Sequence, residues 1–244
     1  MKLLVDLGNS RLKWALWDGR TLQAGTPLDH SAELEPQLLS AWRDLGAIDA
    51  VLIASVARAE LEEELRRAIA TRFALTPLFV RSSAGVGGLV SAYAMPEKLG
   101  VDRFLALLAL HAENKQAVVL ASVGTALTLD ALAADGRHLG GLIAPSPALM
   151  QKALLGATAR VTAAETAQLV EIARDTEDAV RSGCWLAAVA LIERFHAQVA
   201  AELGVTPSLV LAGGAGDVLA SRLSLPARYE PDLVLRGLVA YSAT

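Results

Sequence analysis

The feature that most constrains this chain is a partial copy of its own beginning. LLVDLGNSRLKWALWDGR starts at Leu3, and VLASVGTALTLDALAADGR starts at Val119. With Gly8 placed on Gly124, Asn9 falls on Thr125 and Asp6 on Ser122; Asp18-Gly19-Arg20 meets Asp135-Gly136-Arg137 after a one-residue insertion. Each copy reads as an apolar strand, a turn of small residues and a second strand with partial alternation. Glycine in such a turn lets the backbone come close to a bound anion, and neighbouring hydroxyl or amide side chains add donors. Two such hairpins, one in each half of a duplicated fold, would grip one polyphosphate between them. Chance likeness of two strand–turn–strand hairpins is the alternative that so short a match leaves standing.

The remaining pattern places the hairpins in an α/β chain. After RLKWALW, the Asp18-Gly19 turn predicts a third strand, RTLQAGTPL. A helix follows over 31–45 with Ser31 as cap, then a continuous apolar strand over 49–56 and a charge-laced helix over 57–73. PLFV reads as a short strand, 82–90 as a tight-turning loop, and a helix is expected from about Pro96. The second half repeats the β-rich opening over 116–144, with helices over 147–203 and one long helix from Thr176 to Leu203. Strand, glycine turn and helix follow at 208–220, then a short strand near Arg228–Glu230 and a last helix from Asp232. The expected halves are 1–115 and 116–244.

Composition narrows the function classes. The chain has 244 residues, 53% hydrophobic and 20% charged, enough to bury a sizeable core and unlike a disordered segment. A net charge of −4 and the lack of a Lys/Arg run leave no footprint for nucleic acid. Cys184 is the single cysteine, which excludes an internal disulfide and fits a reducing compartment. Asp6 interrupts the first apolar stretch, a poor start for a signal peptide, and FLALLAL at 104–110 is too short to span a bilayer. The expectation is a cytoplasmic protein with no membrane or nucleic-acid partner. His30, His111, His138 and His196 show no zinc-ligand spacing, Ser146 between two prolines is no nucleophile elbow, and Gly85-x-Gly87-Gly88 opens no helix as a dinucleotide fingerprint would.

Two residues of the first hairpin carry opposed readings on chemistry alone. Asp6, where a strand meets a turn, is either a turn-capping acid or a Mg²⁺ ligand through water. Lys13 is either a snorkelling edge-strand lysine or a phosphate contact.

Six stretches, in order, resemble the type III pantothenate kinases, a family of the actin/hexokinase type of ATP-binding fold. DLGNSRLKW is similar to a phosphate-binding Asp-x-Gly-Asn-Thr/Ser-x-x-Lys, and YAMPEKLGVDRFLAL (93–107) to a Tyr…Gly-x-Asp-Arg-aromatic-x-Ala stretch. SVGTALTLD resembles Asp-x-Gly-Thr-Ala-x-Thr, GGLIAPSPALM (140–150) a Gly-Gly-x-Ile-x-Pro-Gly motif, and DTEDAVRSG (175–183) Thr-x-x-Ala-x-x-x-Gly. LAGGAGD (211–217) is similar to a glycine pair near the adenosine. The resemblance implies a duplicated ribonuclease-H-like, actin-like ATPase fold of two domains, with mixed sheets, flanking helices and the ATP cleft between the halves. It implies transfer of the ATP γ-phosphate to the primary hydroxyl of pantothenate, the first step toward coenzyme A. It also implies Mg²⁺, a monovalent cation (K⁺ or ammonium) and a homodimer with the substrate site at the interface.

Residue by residue, the resemblance makes Asp102 the general base. Asp6, Gly8, Asn9, Ser10, Lys13, Gly124 and Thr125 become ATP-phosphate contacts, with Asp6 also toward Mg²⁺ through water. Gly213 and Gly214 would lie against the adenosine. Tyr93, Gly100, Val101, Arg103 and Thr176 match substrate contacts, although Thr176 would serve equally as a helix cap. Three positions depart from the pattern. Ser122 stands where the family has an acid for the monovalent cation, so weak or absent K⁺ activation is expected. Ser146 replaces a glycine, and Phe104 a tryptophan. Two further readings compete: a non-catalytic regulator that keeps the fold, like a transcriptional accessory factor, and another sugar or acid kinase of the same fold. The YxxPxxLGxDR stretch argues against the last.

Overall fold

In the computed structural model, residues 1–244 are described except 31, 32, 159–161, 163 and 165. Chain order in the first unit runs β1 (Lys2–Leu7), β2 (Arg11–Trp17), β3 (Leu22–Ala24), β4 (Leu28–Asp29), α1 (Leu34–Ala41), β5 (Ala50–Ser55), α2 (Ala59–Phe73) and β6 (Leu78–Phe79). A small hairpin of β7 (Gly85–Val86) and β8 (Leu89–Val90) follows, then a 3₁₀ turn at Pro96–Lys98 and α3 (Val101–Glu113). β1 pairs antiparallel with β2 and parallel with β5, giving a sheet ordered β3-β2-β1-β5-β6 with β4 also on β2. On one face of the central strands Leu3, Val5, Leu7, Val51 and Ile53 pack under α1 and α2 with Leu34, Leu38, Trp42, Leu65 and Ile69, and Leu4, Leu52 and Ala54, which point the other way, are buried as well.

The second unit, Lys115–Pro231, repeats this plan. It contains β9 (Val118–Val123), β10 (Ala126–Leu132), β11 (His138–Pro145), α4 (Pro147–Ala157), α5 (Thr176–Leu203), β12 (Ser208–Ala212), α6 (Gly216–Ala220) and β13 (Ala227–Tyr229). The sheet order is β11-β10-β9-β12-β13, again an antiparallel meander followed by two parallel strands. The repeat legible in the sequence over one hairpin therefore extends over five strands in each unit.

α7 (Leu233–Tyr241) closes the chain, and here the structure departs from a division into 1–115 and 116–244. Asp232–Thr244 pack with Met1–Asn114. Gly237 brings α7 directly against α3: a Cβ there would stand 2.1 Å from the Leu105 carbonyl oxygen. Arg236 and Glu113 join the same two helices, with Arg236 Nε 2.6 Å from Glu113 Oε1.

Three further expectations give way to tertiary contacts. RTLQAGTPL breaks into β3 and β4 because the chain folds over Trp14: its indole donates to the Thr26 carbonyl at 3.0 Å, and a Cβ on Gly25 would strike the ring at 2.1 Å. The helix expected over 31–45 is shorter, and its candidate cap Ser31 lies outside the described residues. The first N–H groups of α1 are instead taken by the Glu64 carboxylate of α2, 2.7 Å from Leu34 N and 3.2 Å from Glu35 N. The helix expected from Pro96 stops after one 3₁₀ turn, since Leu99 and Gly100 are extended (ψ 125° and 133°). α3 then restarts, placing Asp102 in its first turn.

Candidate active site

The first hairpin closes at Leu7 and Leu12, with Gly8 N donating to Arg11 O at 3.0 Å. Asn9 and Ser10 are exposed at its tip. One step back along the ladder Asp6 lies directly opposite Lys13. Directly opposed residues of an antiparallel pair share a face, so the lysine that interrupts the second strand is the cross-strand neighbour of the acid that ends the first. Lys13 Nζ is also 3.5 Å from Oδ1 of Asp232, the residue before α7. Burial pushes the Asp6 carboxyl up to about 7; the negative charge of Asp102 adds to this, Lys13 opposes it, and Asp232 adds again. The carboxylates of Asp102 in α3 and Asp232 at the head of α7 thus both act on Asp6 in β1. The sequence reading missed Asp232; its only signal was an acid at the start of the last helix.

Asp102 sits beside Gly100, where a Cβ would be 2.6 Å from Asp102 Oδ1, so glycine leaves the carboxylate room to fold back over the backbone. Val101 is buried. Arg103 is only 6% exposed; its Nη1 donates to the Tyr93 hydroxyl at 3.1 Å, and its guanidinium lies 5.9 Å from the Tyr93 ring centroid. Buried charges need polar partners, and the Tyr93 hydroxyl is one for this guanidinium. Phe104 is fully buried in α3.

In the second unit the hairpin closes at Val123 and Leu127, with Gly124 N donating to Ala126 O at 2.9 Å and Thr125 exposed at the tip. Ser122 is opposed by Thr128, so two hydroxyls occupy the positions that Asp6 and Lys13 hold in the first hairpin. Gly213 follows β12 at φ 82°, and a Cβ there would lie 2.4 Å from the Val123 carbonyl oxygen. Only glycine lets this turn press against the hairpin strand. The Tyr229 hydroxyl donates to the Gly213 carbonyl at 3.0 Å. Gly214 is next in the same turn.

Thr176 is the first residue of α5, but the cap is Asp175, whose carboxylate accepts from Asp178 N at 2.9 Å. The threonine side chain is therefore not the cap, and it lines a cavity of about 970 Å³ between α4 and α5 with Leu149, Met150 and Val180. Ser146 caps α4 by accepting from Leu149 N at 3.2 Å, a local use for the side chain at the position where the resemblance expects glycine. His138 bonds Asp130 at 2.9 Å with both side chains fully buried, a core pair rather than a ligand.

Among the described residues no group of three His, Cys, Asp or Glu side chains could hold a metal alone. A divalent cation would have to share its shell with phosphate oxygens and water. The residues fit that role: Asp6 resists ionisation beside two further acids, a surplus of negative charge that a cation relieves. No helix among the described residues is long and apolar enough to cross a membrane.

The chain is similar to known proteins over nearly its whole length. A Nitrosococcus oceani type III pantothenate kinase is 38% identical over 98% of this chain and 92% of its own length. Relatives of the same description from Xanthomonas campestris pv. campestris and Stenotrophomonas maltophilia are 42% identical, each over 98% of this chain and 96% of their own. Among solved structures, a Campylobacter jejuni protein described provisionally as a Baf family transcriptional activator matches with TM-score 0.64 at 21% identity, covering 99% of this chain and 97% of its own. Porphyromonas gingivalis acetate kinase matches with TM-score 0.53 at 13% identity, covering 99% and 98%. At such identities these neighbours establish the shared actin/hexokinase-like α/β fold and no activity. The model of the type III pantothenate kinase family matches residues 2–198, and with the relatives' identity over nearly the whole chain it places this protein in that family.

Proposed function

We propose that this chain phosphorylates pantothenate to 4′-phosphopantothenate with ATP, entering coenzyme A biosynthesis. The observation that carries the reading is the convergence of Asp6, Lys13 and Asp102 in one unit, with Arg103 and Tyr93 bonded beside Asp102. Asp102 accepts the proton of the pantothenate hydroxyl as its oxygen attacks the γ-phosphorus; the P–O bond to ADP breaks and ADP departs. Arg103 holds the substrate carboxylate with its planar fork, and Tyr93 fixes that fork. Gly100 and Val101 present the backbone beside the base. Gly8, Asn9, Ser10 and Lys13 bind ATP phosphates from the first hairpin, and Gly124 and Thr125 from the second. Gly213 and Gly214 receive the adenosine. Asp6 would hold Mg²⁺ through water, and the ion would neutralise phosphate charge. The enzyme acts in the cytoplasm, where both substrates are.

The finer assembly is a homodimer in which Thr176 contributes to the substrate pocket. Leu149 and Leu154 of α4, 40% and 43% exposed, leave apolar surface uncovered at the cavity that Thr176 lines. The regulatory alternative is not favoured, because Asp6, Lys13, Asp102 and Arg103 are all present.

Incubation with Mg-ATP and pantothenate should yield ADP and phosphopantothenate; no turnover with or without K⁺ or ammonium would defeat the reading. Ser122 carries a distinct expectation. Its hydroxyl can ligate K⁺ but supplies no negative charge, so K⁺ should activate weakly, and Ser122→Asp should increase K⁺ activation. A sharp, saturable K⁺ requirement in the unaltered protein, equal to that of acid-bearing relatives, contradicts this.

A further inference from the structure

α7 begins beside the first hairpin. Asp232 stands at its N-cap position, where an aspartate ordinarily turns its carboxylate onto the free N–H groups of its own first turn. It makes no such bond. Its Oδ1 lies instead 3.5 Å from Lys13 Nζ, across 219 residues of sequence. The side chains are 30% and 40% exposed for Lys13 and Asp232, and an ion pair this accessible adds almost nothing to stability. Its placement is nonetheless well determined, because α7 is seated on α3 by Gly237 against Leu105 and by Arg236 with Glu113.

We propose that Asp232 is a positioning residue that holds the Lys13 ammonium beside the first glycine hairpin, ready for the phosphate groups of ATP. The proposal rests on the kinase reading above. A lysine stem has large rotamer freedom, and a stem already held loses less of it when the anion arrives. Charge alone argues the opposite sign: an acid near this hairpin repels ATP, so removing a mere bystander would tighten binding. The two accounts separate cleanly for that reason.

Asp232→Asn keeps the size and capping capacity of the side chain and removes its charge. Calorimetric titration with Mg-AMP-PNP should show binding weakened about 3- to 10-fold, with kcat/KM for ATP falling alike and KM for pantothenate unchanged. In a Lys13→Met background the same substitution should cost less than about twofold. Asp232→Ser, which can cap α7 but carries no charge, should reproduce the loss. Unchanged or tighter binding in Asp232→Asn overturns the proposal, as does an equal loss in both backgrounds or full affinity in Asp232→Ser. An unaltered protein that turns over no pantothenate defeats the kinase reading itself; an active one indifferent to Asp232 defeats only this inference.

Discussion

Asp102→Asn should lower kcat by about 10²- to 10⁴-fold and leave the fold intact. The carboxylate occupies the first turn of α3 and folds back over Gly100, so the isosteric amide fits the same space. Two small effects on stability oppose each other. The helix N-terminus loses an acid worth about 0.3–1 kcal/mol, while Asp6 loses a like-charged neighbour. The amide cannot accept the hydroxyl proton, while on the proposed reading Arg103, fixed by Tyr93, still holds the substrate. The loss should therefore fall on kcat, with KM for pantothenate little changed. Steady-state kinetics with a circular-dichroism melt decide this, and an unaffected rate removes Asp102 from the role of base.

Asp6→Asn should make the ligand-free protein more stable at pH 8 while lowering turnover by at least about 10²-fold. In the folded chain the Asp6 carboxyl titrates at about 7 against an ordinary 3.8. Between those values the native state keeps a proton that the unfolded state has released. Stability therefore falls as pH rises through this window, and above it the native state carries a carboxylate that is costlier folded than unfolded. At about 1.4 kcal/mol per unit, discounted for the partial exposure of the strand end, the charge costs about 2–4 kcal/mol. In a chain of this size that is on the order of 5–10 °C in Tm. Asparagine has no such charge. Melting curves at pH 8 and pH 4 test it: the gain should be present at pH 8 and absent at pH 4, and a variant no more stable at pH 8 refutes it. A residue retained at a cost in stability is what a phosphate-site acid should look like.

How much was legible beforehand varied with the range of the interaction. The glycine hairpins were readable because turn chemistry and alternation are local. Asp102 and Arg103 were singled out only through the family resemblance of their stretch, and the restart of the helix after Gly100 was not legible, since a helix was expected from about Pro96. Asp232 was not: nothing near it in sequence distinguishes its role from that of a capping aspartate. The third strand was misjudged because Trp14, eleven residues before Gly25, bends it from the neighbouring strand. The start of α1 depends on Glu64 of another helix.

The sequence by itself determined that this chain carries two glycine hairpins in an α/β framework, the order of six family motifs, and an acid–arginine pair in an apolar helix. Each is written in a few consecutive residues, where sterics and hydrogen bonding act locally. The tertiary structure alone decided that the repeat covers five strands in each unit, and that the last helix belongs with the first unit. It also decided that Asp6, Asp102 and Asp232 share one electrostatic neighbourhood with Lys13. Those outcomes depend on close approach between distant segments, above all Gly237 on Leu105. Such packing leaves no period in the sequence to read, because the missing side chain at Gly237 has meaning only once α3 is pressed against it.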